Sequence, residues 1–233
     1  MTEHAVVSHE EWLAARKALL QEEKEFTRRR DELARRRREL PWEPVTTEYV
    51  FDGANGPETL AELFGDYSQL VVYHFMYPTD WDAGCPSCSF WADSFDPNVV
   101  HLAARDTRLV AVSRAPLDKL LAYRERMGWR FHWVSSFENS FNHDFGVGFE
   151  PEEQGTAAYN YGTATPGMSE REGVSVFFRD AEGRIFHTYS AYARGIDLLN
   201  AAYNYIDLTP RGRDEDAESF PQFWVRRHDE YGT

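Results

Sequence analysis

The sequence predicts an α/β fold: a mixed central sheet flanked by helices, with a long N-terminal helix and a C-terminal extension. Three observations carry this reading. The continuous apolar runs "QLVVYHFMY" (69–77) and "TRLVAVSRA" (107–115) are what strands look like when both sheet faces are covered. A helical segment follows each of them. Two alternating segments around the turn "DAEG" read as a hairpin over 173–192. Strand, helix, strand, hairpin, helix is a βαβ–ββα order, and no internal repeat interrupts it.

Residues 8 to about 39 predict one long helix. Ser8 is its N-cap, Glu11 completes a capping box three positions later, and Pro41 stops it. Trp12, Leu13, Ala15, Leu19, Leu20, Phe26, Leu33 and Leu40 leave a broken apolar stripe. Residues 28–38 hold seven Arg against one Asp and one Glu, a local charge of +5. Without interleaved aromatics this reads as a solvated face rather than a nucleic-acid surface, and the helix is expected to pack on the domain or on a partner subunit.

"TEYVFDG" then reads as a short strand, and "PETLAELFGD" as one or two helical turns closed by Gly65. After the first central strand a helix is expected from Pro86 through Trp91 toward Phe95. "PLDKLLAYRERMG" is a helix with Pro116 in its first turn and Gly128 at its end. "FHWVSS" is a short strand, and "GIDLLNAAYNYI" a helix after the hairpin. The expected organisation is an N-terminal helical extension (1–41), the α/β domain (45–208) and a C-terminal tail (209–233). The tail's charged first part is expected to be loose, and "FPQFWVRRHDEY" to dock back as a last helical turn.

A chain of 233 residues can bury a substantial core. Its formal net charge of −14 disfavours nucleic acid and anionic lipid as partners. No apolar run reaches the roughly 18 residues of a membrane span. The N-terminus lacks a basic stretch followed by an apolar one, so no secretion signal is expected and the expected location is cytoplasmic. In that reducing compartment two cysteines do not read as a permanent staple.

Both cysteines fall in "DWDAGCPSCSFW" (80–91). Cys85 comes where a central strand hands over to a helix, and Cys88 lies one turn on, so the sulfurs share a side. Free N–H groups of the first turn favour a thiolate at Cys85, below the ~8.5 of a free thiol. Cys88 then reads as the thiol that resolves a mixed disulfide, and Pro86 stiffens the first turn at no hydrogen-bond cost. Two alternatives stay open: inert core cysteines, and a zinc site needing two further ligands, for which His74 and His187 are available. Neither a metal nor a cofactor is expected.

The stretches "HEEWLAARKALL", "YHFMYPTDWDAGCPSCSFWAD", "VAVSRAPLDKLLAYRERMGWRFHWVSS" and "FFRDAEGRIFHTYSAYARGIDLLNAAYNYIDLTPRGRDE" resemble a bacterial family catalogued as domain of unknown function 899. That family falls in the thioredoxin/peroxiredoxin-like superfamily. The resemblance implies a thioredoxin-like fold and a redox-active cysteine pair. Laid on thioredoxins, "YHFM" puts His74 where those proteins keep a buried acid, which implies proton transfer at Cys88. Laid on peroxiredoxins, Pro78 and Cys85 keep the outer spacing of their motif, but Asp82 stands where they have Thr. Glu172 takes the nearest match to their Arg, with Arg171 beside it. The proline that thioredoxin-like proteins carry before the strand facing the pair is missing from "SEREGVSVFF"; the nearest is Pro166.

The long polar loop 149–172 is expected to reach the cysteines, with Tyr159 and Tyr161 lining a pocket. Trp81 and Trp91 would add an apolar docking surface. Ser113 and Arg114 end a central strand, a favoured place for ligand contacts. The expected function is thiol–disulfide exchange. Its expected partners are a protein or small-molecule thiol or disulfide and a reducing partner, and a homodimer is among the expected assemblies. The alternatives are an atypical thiol peroxidase using Cys85, and a non-enzymatic module holding a metal or partner at the pair.

Overall fold

The structure is a computed structural model and describes residues 4–232; residues 1–3 and 233, which end the expected terminal segments, lie outside it. The chain divides into two compact units, one ending at Pro41 and one beginning at Trp42. The first is α1 (His9–Arg38), with the expected capping box. The Ser8 hydroxyl accepts from the Glu11 N–H, and the Glu11 carboxylate accepts from the Ser8 N–H at 3.0 Å. None of its residues is buried, and Trp12, Leu19, Phe26 and Leu33 are exposed at seven-residue intervals.

The second unit is one eight-stranded sheet with helices. In chain order its elements are β1 (Glu43–Pro44), β2 (Val50–Gly53), β3 (Gly56–Thr59), β4 (Gln69–His74), α2 (Pro86–Ala92), α3 (Phe95–Ala103) and β5 (Thr107–Ser113). Then come α4 (Leu117–Arg126), β6 (His132–Ser135), α5 (Phe141–Asp144), β7 (Gly173–Arg179), β8 (Ile185–Tyr192) and α6 (Ala201–Ile206). The strand order is β1-β8-β7-β4-β5-β6-β2-β3. Strand β4 runs parallel to β5 and antiparallel to β7, and β7 pairs antiparallel with β8. The segment β4–α2–α3–β5 followed by the β7–β8 hairpin is the βαβ–ββα frame of a thioredoxin-like fold, with β6, β2 and β3 extending one edge.

Both predicted central strands and the hairpin form as the apolar pattern requires. Three local expectations change. "GPET" is a strand, β3, turned back on β2 through Ala54–Asn55, with Gly56 at φ +122° closing the turn; one 3₁₀ turn, Glu62–Phe64, follows. The helix after the cysteines breaks at Asp93–Ser94 and restarts as α3. Pro97 cannot donate to residue 93 and its ring would clash there, so one straight helix cannot pass through it. The segment after the hairpin is a 3₁₀ helix (Ala193–Leu199) and then α6, reset by Asn200, whose side chain caps the Tyr203 N–H.

The sheet carries a core on each face. Tyr73, Ala111, Trp133, Val174 and Ala191 face one core together with both cysteines. Leu70, Val72, Val110, Val112, Val134 and Phe177 face the other. The tail docks back rather than hanging free. The Glu215 carboxylate accepts from the Tyr203 hydroxyl at 2.7 Å, the Trp224 indole at 2.7 Å and the Gln222 N–H at 3.0 Å.

Candidate functional site

Cys85 is the N-cap of α2 and Pro86 its first helical residue, so strand β4, the loop 75–84 and the helix place the thiol together. Two backbone contacts fix the pair against the strand exit. The Cys85 N–H donates to the Met76 carbonyl at 3.1 Å, and the Met76 N–H donates to the Cys88 sulfur at 3.4 Å. Gly84 is needed just before Cys85, because a Cβ there would come within 2.7 Å of the Phe75 ring and 2.8 Å of the Tyr123 ring.

Both thiols are free and buried. The Cys88 thiol donates toward Cys85, and this contact above all holds the Cys85 thiol below its ordinary range; burial opposes it, and the N–H groups of Cys88 and Ser87 add to it. Cys88 moves the other way: burial and the neighbouring Cys85 push its thiol well up. The arrangement therefore favours one thiolate, at Cys85, with its proton-bearing neighbour poised beside it.

Cys85 opens on a cavity of about 500 Å³. Trp81, Pro86 and Trp91 are among the residues that line it. Trp91 is buried and donates its indole N–H to the Ile196 carbonyl at 2.9 Å. The loop 149–172 reaches the cavity through Met168, Arg171 and Glu172, not through the two tyrosines. Tyr159 sits behind, its hydroxyl donating to the Glu172 carbonyl at 2.8 Å and accepting from the Ala193 N–H at 3.0 Å. Tyr161 is exposed and donates to the Ser190 carbonyl. Glu172 holds the position before β7, and burial raises its carboxyl. Ser113 is buried, donating to the Phe75 carbonyl at 2.6 Å and accepting from the Trp133 indole.

His74 is not brought to Cys88. Its register partners Val112 and, through it, Val134 belong to the opposite core, so its side chain leaves the sheet on the far side from the thiols. There its Nε2 lies 2.8 Å from the Ser175 hydroxyl, in a chain that runs on through Ser190 (2.8 Å) to His187 Nε2 (2.7 Å). Burial drives its pKa down to about 3, with nearby His187 adding to the shift. The residue that faces Cys88 is Tyr73, one position earlier. Its hydroxyl is buried, and burial followed by the neighbouring Cys88 pushes its pKa well up. His187 likewise stays away from the pair. Among the described residues no group of three or more His, Cys, Asp or Glu side chains gathers as a metal site.

Two further features lie beyond the sequence-predicted set. Glu170 is buried beneath the loop, accepting the Tyr77 N–H at 2.8 Å, and burial raises its carboxyl to about 8. Arg227, from the tail, donates to the Gly84 carbonyl at 2.8 and 3.2 Å and to the Tyr123 hydroxyl at 2.9 Å. That hydroxyl meets Ser89 Oγ at 2.9 Å, and Ser89 Oγ donates to the Cys85 carbonyl at 2.8 Å. The C-terminus is thus tied to both residues that lead into α2.

A family model described as "Bacterial protein of unknown function (DUF899)" matches residues 1–231. No curated protein matches the chain. Solved structures similar to it include peroxidoxin BcpB of Mycobacterium tuberculosis, at 16% identity over 72% of this chain and 97% of that one, with a TM-score of 0.48. Peroxiredoxin Q of Xanthomonas campestris is similar at 17% identity over 70% and 95%, TM-score 0.48. The mitochondrial 2-Cys peroxiredoxin of Plasmodium falciparum is similar at 12% over 72% and 95%, TM-score 0.44. No helix of the described residues is long and apolar enough to cross a membrane.

Proposed function

We propose that this chain, which belongs to the bacterial DUF899 family, is a thiol–disulfide oxidoreductase that uses Cys85 and Cys88. The observation that carries the reading is the asymmetry of the pair: Cys88 donates toward Cys85, so one thiol is acidified at the mouth of a cavity while the other keeps its proton. Cys85 thiolate attacks a substrate disulfide and displaces one thiolate, which takes up a proton. Cys88 then loses its proton and attacks Cys85, releasing the second thiolate and leaving a Cys85–Cys88 disulfide. Two electrons pass from the protein dithiol to the substrate, and a reducing partner restores them. None of these steps calls on a metal or cofactor.

Glu172 holds the place where the peroxidase alternative calls for an arginine, and Arg171 beside it donates to the Pro166 carbonyl, which weighs against that alternative. The test is a glutathione redox titration read by intact mass. The reading requires the loss of about two daltons that one disulfide brings, absent from Cys85→Ser and Cys88→Ser. A protein that keeps both thiols at every poise overturns it.

A further inference from the structure

We propose that the cavity beside Cys85 is a binding site for small, apolar disulfides, and that the C-terminal segment is the wall that selects them. The inference rests on the oxidoreductase reading above and names its substrate class. Its first support is access. Cys85 is only 8% exposed, and the cavity of about 500 Å³ is the space onto which it opens. That volume lies in the range of pockets that enclose small molecules, roughly 300–1,000 Å³.

The second support is the wall. Met76, Trp81 and Trp91 of the domain and Phe220, Phe223 and Val225 of the tail line the cavity together. The tail is fixed on both sides of this stretch: before it Glu215 accepts from Tyr203 of α6, and also from Gln222 and Trp224 within it, and after it Arg227 grips the Gly84 carbonyl. Arg126 further holds Asp229 and Glu230. A folded protein needs open ground around a thiol to lay its own disulfide on it. Here a latched segment stands on that ground.

The third support is the lining. Three arginines border the cavity, and each makes an interaction within the chain. Arg171 donates to the Pro166 carbonyl, Arg194 pairs with Asp197, and Arg226 donates to the Phe223 and Val225 carbonyls. Glu172, held up by burial, lines the same space. Asp197 and Glu172 stand among these arginines, so the charges bordering the cavity are mixed. An aromatic or thioether-like body meets Met76, Trp81, Phe220 and Phe223 there.

The chemistry is that written above: the dithiol and R–S–S–R give the Cys85–Cys88 disulfide and two R–SH. The test measures single-turnover reduction of 2,2′-dithiodipyridine, of glutathione disulfide and of insulin. Each rate is divided by that of dithiothreitol with the same disulfide, which removes intrinsic reactivity. The neutral aromatic disulfide is expected to lead by about tenfold or more, and Phe223→Ala to lower its normalised rate about tenfold, with Phe223→Leu losing less. Equal normalised rates, or a lead for insulin, overturn the inference and leave the oxidoreductase reading standing. A non-reactive thioether, benzyl phenyl sulfide, is titrated against Cys85→Ser protein by tryptophan fluorescence. Saturable binding that Phe223→Ala weakens supports the site even if no disulfide reacts; no binding overturns it.

Discussion

Tyr73 and His74 are neighbours on one strand and live in different chemistries. Tyr73 faces the two thiols, with an acid and a latched tail close by. His74 faces the opposite core, at the end of a serine–serine–histidine chain. One face of the sheet holds groups that can exchange electrons and protons with a cavity. The other holds an imidazole that burial keeps neutral down to about pH 3. A single peptide step, not distance along the chain, decides which role a side chain can play.

The largest effect separates the faces by activity. Cys85→Ser is expected to abolish single-turnover disulfide reduction, a loss of about 10³-fold or more, while His74→Gln reduces disulfides at the parent rate. A His74→Gln protein that folds but loses exchange would erase the distinction between the faces. Cys88→Ala should trap the mixed disulfide on Cys85. It should also move the midpoint of Cys85 alkylation to higher pH, because the thiol that donates to it is gone.

Stability against pH gives each face its own limb. Above pH 6.5 both folded and unfolded chains hold His74 neutral. Below it the unfolded chain binds a proton that the folded one refuses until about pH 3, so stability falls through that window, by up to about 5 kcal/mol. Glu170 acts in the opposite sense. Its folded pKa is raised to about 8, so its contribution is full below pH 4.5 and is lost as pH rises through 8. Denaturant melts across pH should show His74→Gln flattening the acid limb and Glu170→Gln flattening the alkaline limb. If either variant flattens the other limb, the two burials are misassigned.

Arg227→Met probes the latch on the thiol face. Hydrogen bonds from a charged donor are worth about 1.5–3 kcal/mol, and Arg227 makes three to the Gly84 carbonyl and Tyr123. The variant should melt several degrees lower, by roughly 2–4 °C per kcal/mol lost, and its Cys85 should react faster with a bulky maleimide. Unchanged access to Cys85 would mean that the tail is not a wall.

Much of this was legible in the sequence, and the failures have physical causes. The central strands, the hairpin, the capping box at Ser8–Glu11 and the cysteines at a strand-to-helix turn follow from apolar runs and capping chemistry. The face of His74 does not. In "QLVVYHFMY" both faces of the strand are buried, so no alternation of polar and apolar residues marks which side is which. An alignment shifted by one residue then turns a core histidine into a catalytic one. Pro97 was the readable signal for the break before α3. Nothing local in the tail announces that Arg227 will reach Gly84, since that contact exists only once the fold closes. Tyr159 and Tyr161 had the right loop but the wrong positions: the loop delivers Met168, Arg171 and Glu172 instead.

The smallest effect tests the comparison at its closest point. Cys88 must become a thiolate to resolve a mixed disulfide, and burial holds its proton on. The Tyr73 hydroxyl is buried beside it, keeps its own proton because its pKa is pushed well up, and has no other hydrogen-bond partner among the described residues. As Cys88 ionises, that O–H is the donor at hand to meet the new charge. Tyr73→Phe removes one oxygen and little volume, so the core is kept while the donor is lost. A mixed disulfide between Cys85 and a small thiol, formed by rapid mixing, should then decay about three- to tenfold more slowly, the loss of roughly one hydrogen bond to a charged group. The deficit should shrink toward high pH, where Cys88 ionises unaided. The initial attack by Cys85 should be unaffected, and His74→Gln should leave both steps alone. Equal decay rates in Tyr73→Phe and parent protein across pH would reduce Tyr73 to a packing residue, and the two faces of β4 would then differ by the cysteines alone.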